Sequence, residues 1–233
     1  MNQEEKKVSD EAMRYVKEHK HDILKKFIDP KIFASVIVPV SIFMAGSPGA
    51  GKTEYSQRLI SERGPNVVRV DADEVRVLMP QYDGKNSYVV QAAAAIGVEK
   101  LYDHVLKKKL HCVMDGTFSN LEKAKSNIQR SIRKGRVVQI FYLYQDPLVA
   151  WEFTKKREAL EHRNIPKDAF VNALYLAKEN VQKVKKEFGD QLVVNIVLKD
   201  FKKEYEKLIH DVVTVDQYVE IGYTKNDLLA LLL

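Results

Sequence analysis

The chain has one cysteine, Cys112, among 233 residues, so no internal disulfide can form and a disulfide-stapled secreted scaffold is excluded. A reducing cytoplasm is the expected setting. No apolar run approaches the length that spans a bilayer, and no membrane partner is expected. Residues 1–20 are charged throughout and lack the apolar centre of a signal peptide. There is no repeat, low-complexity stretch or Gly/Ser-rich linker, which favours a single domain over residues 1–233. The N-K-x-D signature of guanine-specific GTPases is missing. Aromatic residues are not interleaved with basic ones, so stacked bases lack an evident platform and nucleic acid is disfavoured as a partner.

What is present is an ordinary globular balance, 45% hydrophobic and 30% charged, with a net charge of +6 that suits anionic partners. Residues 10–27 carry apolar side chains at helical spacing, and residues 1–36 read as an N-terminal helical segment. Beyond Pro39 short β-branched runs alternate with longer helical ones. Strands are expected over 41–45, 66–71, 111–115, 136–143 and 191–198. Helices are expected over 52–63, about 87–109, 121–134, 147–161 and 166–188. That alternation predicts an α/β fold with a mainly parallel sheet and helices on both faces, and the G-x-x-x-x-G-K-[ST] run at 46–53 makes it a three-layer P-loop NTPase, read as nucleotide-kinase type. The tail, 200–233, reads as a helical edge whose terminal leucines pack on the domain.

Residues Gly46, Ser47, Pro48, Gly49, Ala50, Gly51, Lys52 and Thr53 match G-x-x-x-x-G-K-[ST] without a gap. Glycines let successive backbone N–H groups turn inward around phosphates, and the helix that follows points its positive end at them. Lys52 is placed to reach the β- and γ-phosphates of ATP or GTP, and Thr53 to offer its hydroxyl to Mg²⁺. A second strand end, His111 to Asp115, has the apolar-then-acidic form that sets a carboxylate, Asp115, beside that metal.

Asp71 and Asp73 follow another strand, where an acceptor hydroxyl must approach, and either could assist it or cap the next helix. Arg157 and Arg163 bracket a break before Pro166 and suit a cationic lid over a transferring phosphoryl group.

Taken together these features resemble the zeta toxin family of P-loop kinases. The resemblance rests on SPGAGKT, on Asp71, Asp73 and Arg76 followed by Pro80, on Asp115-Gly116-Thr117, and on the segments carrying Arg157 and Arg163. It implies that Asp73 is the catalytic base and that Lys52, Arg157 and Arg163 neutralise the γ-phosphate. It also implies that Glu99, Asp71, Arg76 and Thr117 contact the acceptor. The acceptor would be UDP-N-acetylglucosamine, and an antitoxin protein would be the partner. Asp115 stands where the family usually has glutamate, which shortens its reach by one methylene. Two other readings compete: a kinase of nucleic-acid ends or of another nucleotide-like metabolite, and a non-catalytic nucleotide-gated switch.

Overall fold

The computed structural model describes residues 1–161, 165–201 and 205–232. Five parallel strands form the body of one six-stranded sheet: β1 (Val40–Ala45), β2 (Val67–Asp71), β3 (His111–Asp115), β4 (Val137–Gln145) and β5 (Val193–Asp200). A sixth, β6 (Tyr205–Ile209), pairs antiparallel with β5, giving the order β2-β3-β1-β4-β5-β6. The expected α/β fold with a central, mainly parallel sheet is what forms. The central strands are β-branched and buried on both faces, as parallel strands covered by helices must be.

Helix α3 (Lys52–Arg63) covers one face, where Tyr55 and Leu59 pack on Ile42, Met44, Phe141, Leu143 and Val197. The other face is covered by α5 (Gln91–Lys107), α6 (Leu121–Arg133) and α8 (Lys167–Phe188). Each Val, Leu or Ile buried there contributes about 1.5–3 kcal/mol. The short α4 (Ala72–Arg76) follows β2 directly, and α7 (Pro147–Glu161) follows β4 after one residue. Asn120 caps α6 by accepting from Lys123 N at 3.0 Å.

The amphipathic stretch expected over 10–27 is two helices, α1 (Gln3–Glu18) and α2 (Lys20–Phe27). They part at His19, whose ring stacks 4.1 Å from that of Tyr15 and whose Nδ1 lies 3.0 Å from the Tyr15 carbonyl. The tail departs further from its helical expectation. The open edge of β5 needs hydrogen-bond partners, and β6 supplies them, overriding local helical patterning. Residues 210–224 then cross irregularly, with Val212, Val215 and Val219 buried, and α9 (Lys225–Leu231) is the one α-helix among the described residues of the tail. Leu228 and Leu232 pack against Trp151, Phe170 and Leu174, as a packing role for the terminal leucines requires, while Leu231 is exposed and Leu233 lies outside the described residues.

Arg136, expected inside a strand, instead precedes β4 as a buried cation. It donates to Ser41 Oγ at 2.6 Å and to the carbonyls of Val40 and Leu110 at 2.9 and 2.6 Å. These bonds tie the starts of β1, β3 and β4 together.

Helices α1, α4 and α5 meet at Gly97. A Cβ built there would lie 2.5 Å from a Val75 methyl and 3.6 Å from one of Val16. Val75 is fully buried and stiff at χ1. Gly97→Ala is therefore expected to lower stability by about 1–3 kcal/mol despite the better helix propensity of alanine. Chemical denaturation checks this, and a raised midpoint would mean that α4 can retreat without cost.

Candidate active site

The chain leaves β1 in the middle of the sheet and goes next to β2 on one side, while β4 lies on the other. A crevice therefore opens beyond the carboxyl end of β1, the place where open α/β sheets bind ligands. The glycine loop, residues 46–51, fills its base. Gly49, with φ of +72°, lies so close to α7 that a Cβ would collide with the Ala150 carbonyl oxygen. Helix α3 starts immediately after the loop, so its unpaired N–H groups and positive end face the crevice. Lys52 Nζ donates to the carbonyls of Ser47 and Gly46, at 2.6 and 3.1 Å, across the loop it anchors.

The opposite wall is acidic. Asp71 and Asp115 end β2 and β3 in register with each other. Between them the Arg69 guanidinium reaches Asp71 Oδ2 at 2.5 Å and Asp115 Oδ2 at 2.7 Å, and it also pairs with Glu74. Ser56 Oγ donates to Asp115 Oδ2 at 3.1 Å, which links this wall to α3. Asp71 caps α4, accepting from Asp73 N at 2.8 Å. Burial pushes the Asp71 carboxyl up to about 6, against the pull of Asp73 N–H and Arg69. Asp73 stands one step on, in the first turn of α4, paired with the buried Arg76. Arg76 donates its other branch to Gln91 Oε1 at 2.6 Å.

A third wall comes from α7 and the end of β5. Phe153, Thr154, Lys156, Arg157 and Leu160 face the cleft, joined by Ile165 and Phe201. The rings of Phe153 and Phe201 lie 4.7 Å apart, with Lys156 over the first and Lys199 over the second. The enclosed volume is about 490 Å³, within the range that takes a ligand of drug or nucleotide size.

This one cleft brings together Pro48, Gly49, Gly51, Lys52, Thr53, Asp71, Asp73, Arg76, Asp115, Thr117 and Arg157 of the residues expected from sequence. Gly46, Ser47 and Ala50 are buried in the turn itself, and Gly46 N donates to the Thr117 carbonyl at 3.2 Å. Arg163 lies outside the described residues.

Glu99, expected to touch the acceptor, is not among the residues lining this cleft. It sits about 12 Å further along α5 than Gln91, which does line it. Its carboxylate is held instead by Lys123 and Arg130 of α6, which lower its pKa against the cost of burial. Sequence reasoning missed Arg69, Gln91, Phe153 and Phe201. A charged residue inside the buried run Val67–Asp71 was the available signal for Arg69. The two phenylalanines lie far apart in the chain and gave none.

Among the described residues no group of three His, Cys, Asp or Glu side chains could hold a metal unaided. The donors that are present, Thr53 with Asp115 or Asp71, fit Mg²⁺ when it is shared with a bound polyphosphate, because that ion is usually held by one or two carboxylates plus phosphate oxygens. No helix among the described residues is long and apolar enough to cross a membrane.

The family model for zeta toxins matches residues 25–211, about four-fifths of the chain. The solved structure from the PezAT chromosomal toxin–antitoxin system of Streptococcus pneumoniae superposes with a TM-score of 0.68 at 22% identity, over 92% of this chain and 93% of that one. The AvrRxo1-ORF1:AvrRxo1-ORF2 complex with ATP gives 0.61 at 14% identity, over 92% of this chain and 70% of that one. At these identities the likeness is one of fold. No curated protein sequence matches. The chain belongs to the zeta toxin family, and it is a phosphotransferase of the kinase type.

Asp71 makes a pH-dependent contribution whose sign follows from its raised value. Its folded pKa of about 6 exceeds the ordinary 3.8, so the stability it lends when protonated is complete below the lower value and lost as pH rises through the upper one. Asp71→Asn keeps a capping oxygen and mimics the protonated form. It is expected to gain on the parent, by at most about 3 kcal/mol, between about pH 4 and pH 8. Denaturation midpoints across that range check it, and a pH-independent difference between the two proteins would contradict the assignment.

Proposed function

We propose that the chain transfers the γ-phosphate of ATP or GTP to a hydroxyl of a nucleotide-activated sugar, UDP-N-acetylglucosamine by family resemblance, and that it acts as a toxin. The observation that carries the reading is that Lys52 at the glycine loop and Asp73 on the acidic wall line one cleft. In this reading the loop amides and Lys52 hold the donor's phosphates, Arg157 closes on them from the third wall, and family resemblance gives Arg163 the same role. Mg²⁺, held by Thr53 and Asp115 together with the phosphates, would supply charge neutralisation on the donor's oxygens.

Asp73 accepts the proton of the acceptor hydroxyl as its oxygen attacks the γ-phosphorus, and the nucleoside diphosphate leaves in line. Arg76, bonded to both Asp73 and Gln91, sets the orientation of that carboxylate. Asp71, Arg76 and Thr117 line the side where the acceptor enters. The Phe153–Phe201 pair offers flat apolar faces for the donor's nucleobase. The family and the toxin–antitoxin origin of the PezAT neighbour support an antitoxin as protein partner.

With γ-labelled ATP, Mg²⁺ and UDP-N-acetylglucosamine, label is expected on the sugar nucleotide. Transfer to some other component of a metabolite extract, with none to this one, would keep the kinase and replace the acceptor. Lys52→Ala is expected to abolish transfer while the denaturation curve stays near that of the parent, and retained activity would remove the claim about the loop. Asp73→Asn is expected to bind ATP within about twofold of the parent and to lose about 10²–10⁴-fold in transfer. A mild Asp73→Asn effect beside a severe one for Asp71→Asn would move the base two residues upstream.

A further inference from the structure

Behind the glycine loop lies a buried cation that the proposed reaction does not use. Lys199 is the penultimate residue of β5, its side chain 9% exposed, and its Nζ lies 3.4 Å from the Gly51 carbonyl oxygen. A Cβ on Gly51, whose φ is +80°, would come within 2.7 Å of that nitrogen. On its far side Lys199 Nζ is 3.6 Å from Glu206 Oε2 of β6, and Glu206 is also paired with Arg58 of α3. Directly across the register from Lys199 stands Gln145, the last residue of β4. It is 1% exposed, and neither its amide nitrogen nor its oxygen has a hydrogen-bond partner. Phe141, Leu143 and Val197 all pack on the α3 face, so the alternation of strands puts Gln145 on the same face as Lys199, beside it in the register.

The Gly51 carbonyl belongs to the same planar peptide as the Lys52 N–H, and the two point in opposite directions. A cation that holds the carbonyl from behind therefore aims the N–H forward, into the crevice. The Gly51 oxygen already accepts from Tyr55 N at 3.1 Å, and its second lone pair is the one Lys199 approaches. At 3.4 Å that contact is long for a hydrogen bond and has room to shorten. When phosphate oxygens accept from the loop amides, each peptide is polarised, its carbonyl becomes a better acceptor, and the bond from behind strengthens.

We infer that Lys199 and Gln145 are positioning residues for the phosphate loop, a rear latch that grips loop carbonyls and tightens as polyphosphate fills the front. Lys199 is the standing half of the latch, with Glu206 as its counter-charge. Gln145 is the latent half, a buried amide whose partner is supplied when the loop closes around its ligand. This inference rests on the reading that the loop takes the donor's phosphates. It adds that β4, β5 and β6 share in the affinity for them.

The test is equilibrium binding of ATP, inorganic tripolyphosphate and adenosine, in Mg²⁺, to the full-length parent and to Lys199→Met, Lys199→Arg and Gln145→Leu. Thermal stability of the ligand-free proteins is read alongside. Lys199→Met is expected to weaken ATP and tripolyphosphate alike by about tenfold and to leave adenosine unchanged, with Lys199→Arg recovering most of the loss. Gln145→Leu is expected to raise ligand-free stability, because an unpartnered buried amide is removed, and yet to weaken tripolyphosphate. These opposite signs are not what a merely structural role produces. Parent-like tripolyphosphate binding by Lys199→Met would overturn the inference alone, as would an equal loss for adenosine, which would make Lys199 a nucleobase contact beside Phe201. Failure of the parent to bind ATP or tripolyphosphate would overturn the donor reading and the latch with it.

Discussion

Two carboxylates ending neighbouring strands in register, Asp71 and Asp115, cannot stay close in a poorly hydrated cleft unless a cation stands between them, and Arg69 is that cation. Its guanidinium also reaches Glu74 on α4. One side chain thus fixes the β2 and β3 ends, the first turn of α4 and, through the Asp71 cap, the backbone that presents Asp73. A buried ion cluster of this kind adds little net stability over a well-packed apolar equivalent, since desolvation offsets most of the attraction. Loss of the guanidinium alone, however, would leave two acidic groups unbalanced. The cluster is better understood as setting geometry than as adding stability. The raised pKa of Asp71 is the measure of what remains unbalanced: even with Arg69 and a backbone N–H beside it, desolvation prevails.

The cleft that results is divided by sign. The β2–β3 side carries Asp71, Asp73 and Asp115, and the α7 side carries Lys156 and Arg157, with Lys52 at the loop between them. Cations that can hold phosphates on one side and carboxylates on the other make the electrostatic layout that phosphoryl transfer needs. The overall charge of +6 says little about this division, because lysines scattered over the surface contribute to the same sum.

Legibility from sequence followed locality. The glycine loop, α3 and the acidic strand ends were readable because each is specified within a few neighbouring residues: SPGAGKT between an apolar run and a helical one, or His111–Asp115 closing on a carboxylate. The tail was misread because β6 owes its existence to the unpaired edge of β5 and not to its own composition, so nothing near Tyr205–Ile209 announces a strand. The break at His19 falls inside one continuous amphipathic pattern, so periodicity alone does not mark it. Glu99 was singled out by residue type and interval, and its ion pairs with Lys123 and Arg130 on the neighbouring helix could not be read from sequence. Phe153 and Phe201 meet only through the fold, one from α7 and one from beyond β5.

The N-terminal helices belong in the same argument. They look detachable in sequence, yet α1 packs along α5, with Ala12 and Val16 buried beside Val90, Ala93 and Ala94. Val16 and Val75 approach the same glycine, Gly97, from either side. Val75 lies in the short helix that carries Asp73 and Arg76, a helix too brief to hold its own position. Its placement is set by the Asp71 cap at one end and by this three-helix contact along its length. The packing of α1 on α5 therefore bears on where Asp73 stands, through buried side chains that lie outside the cleft.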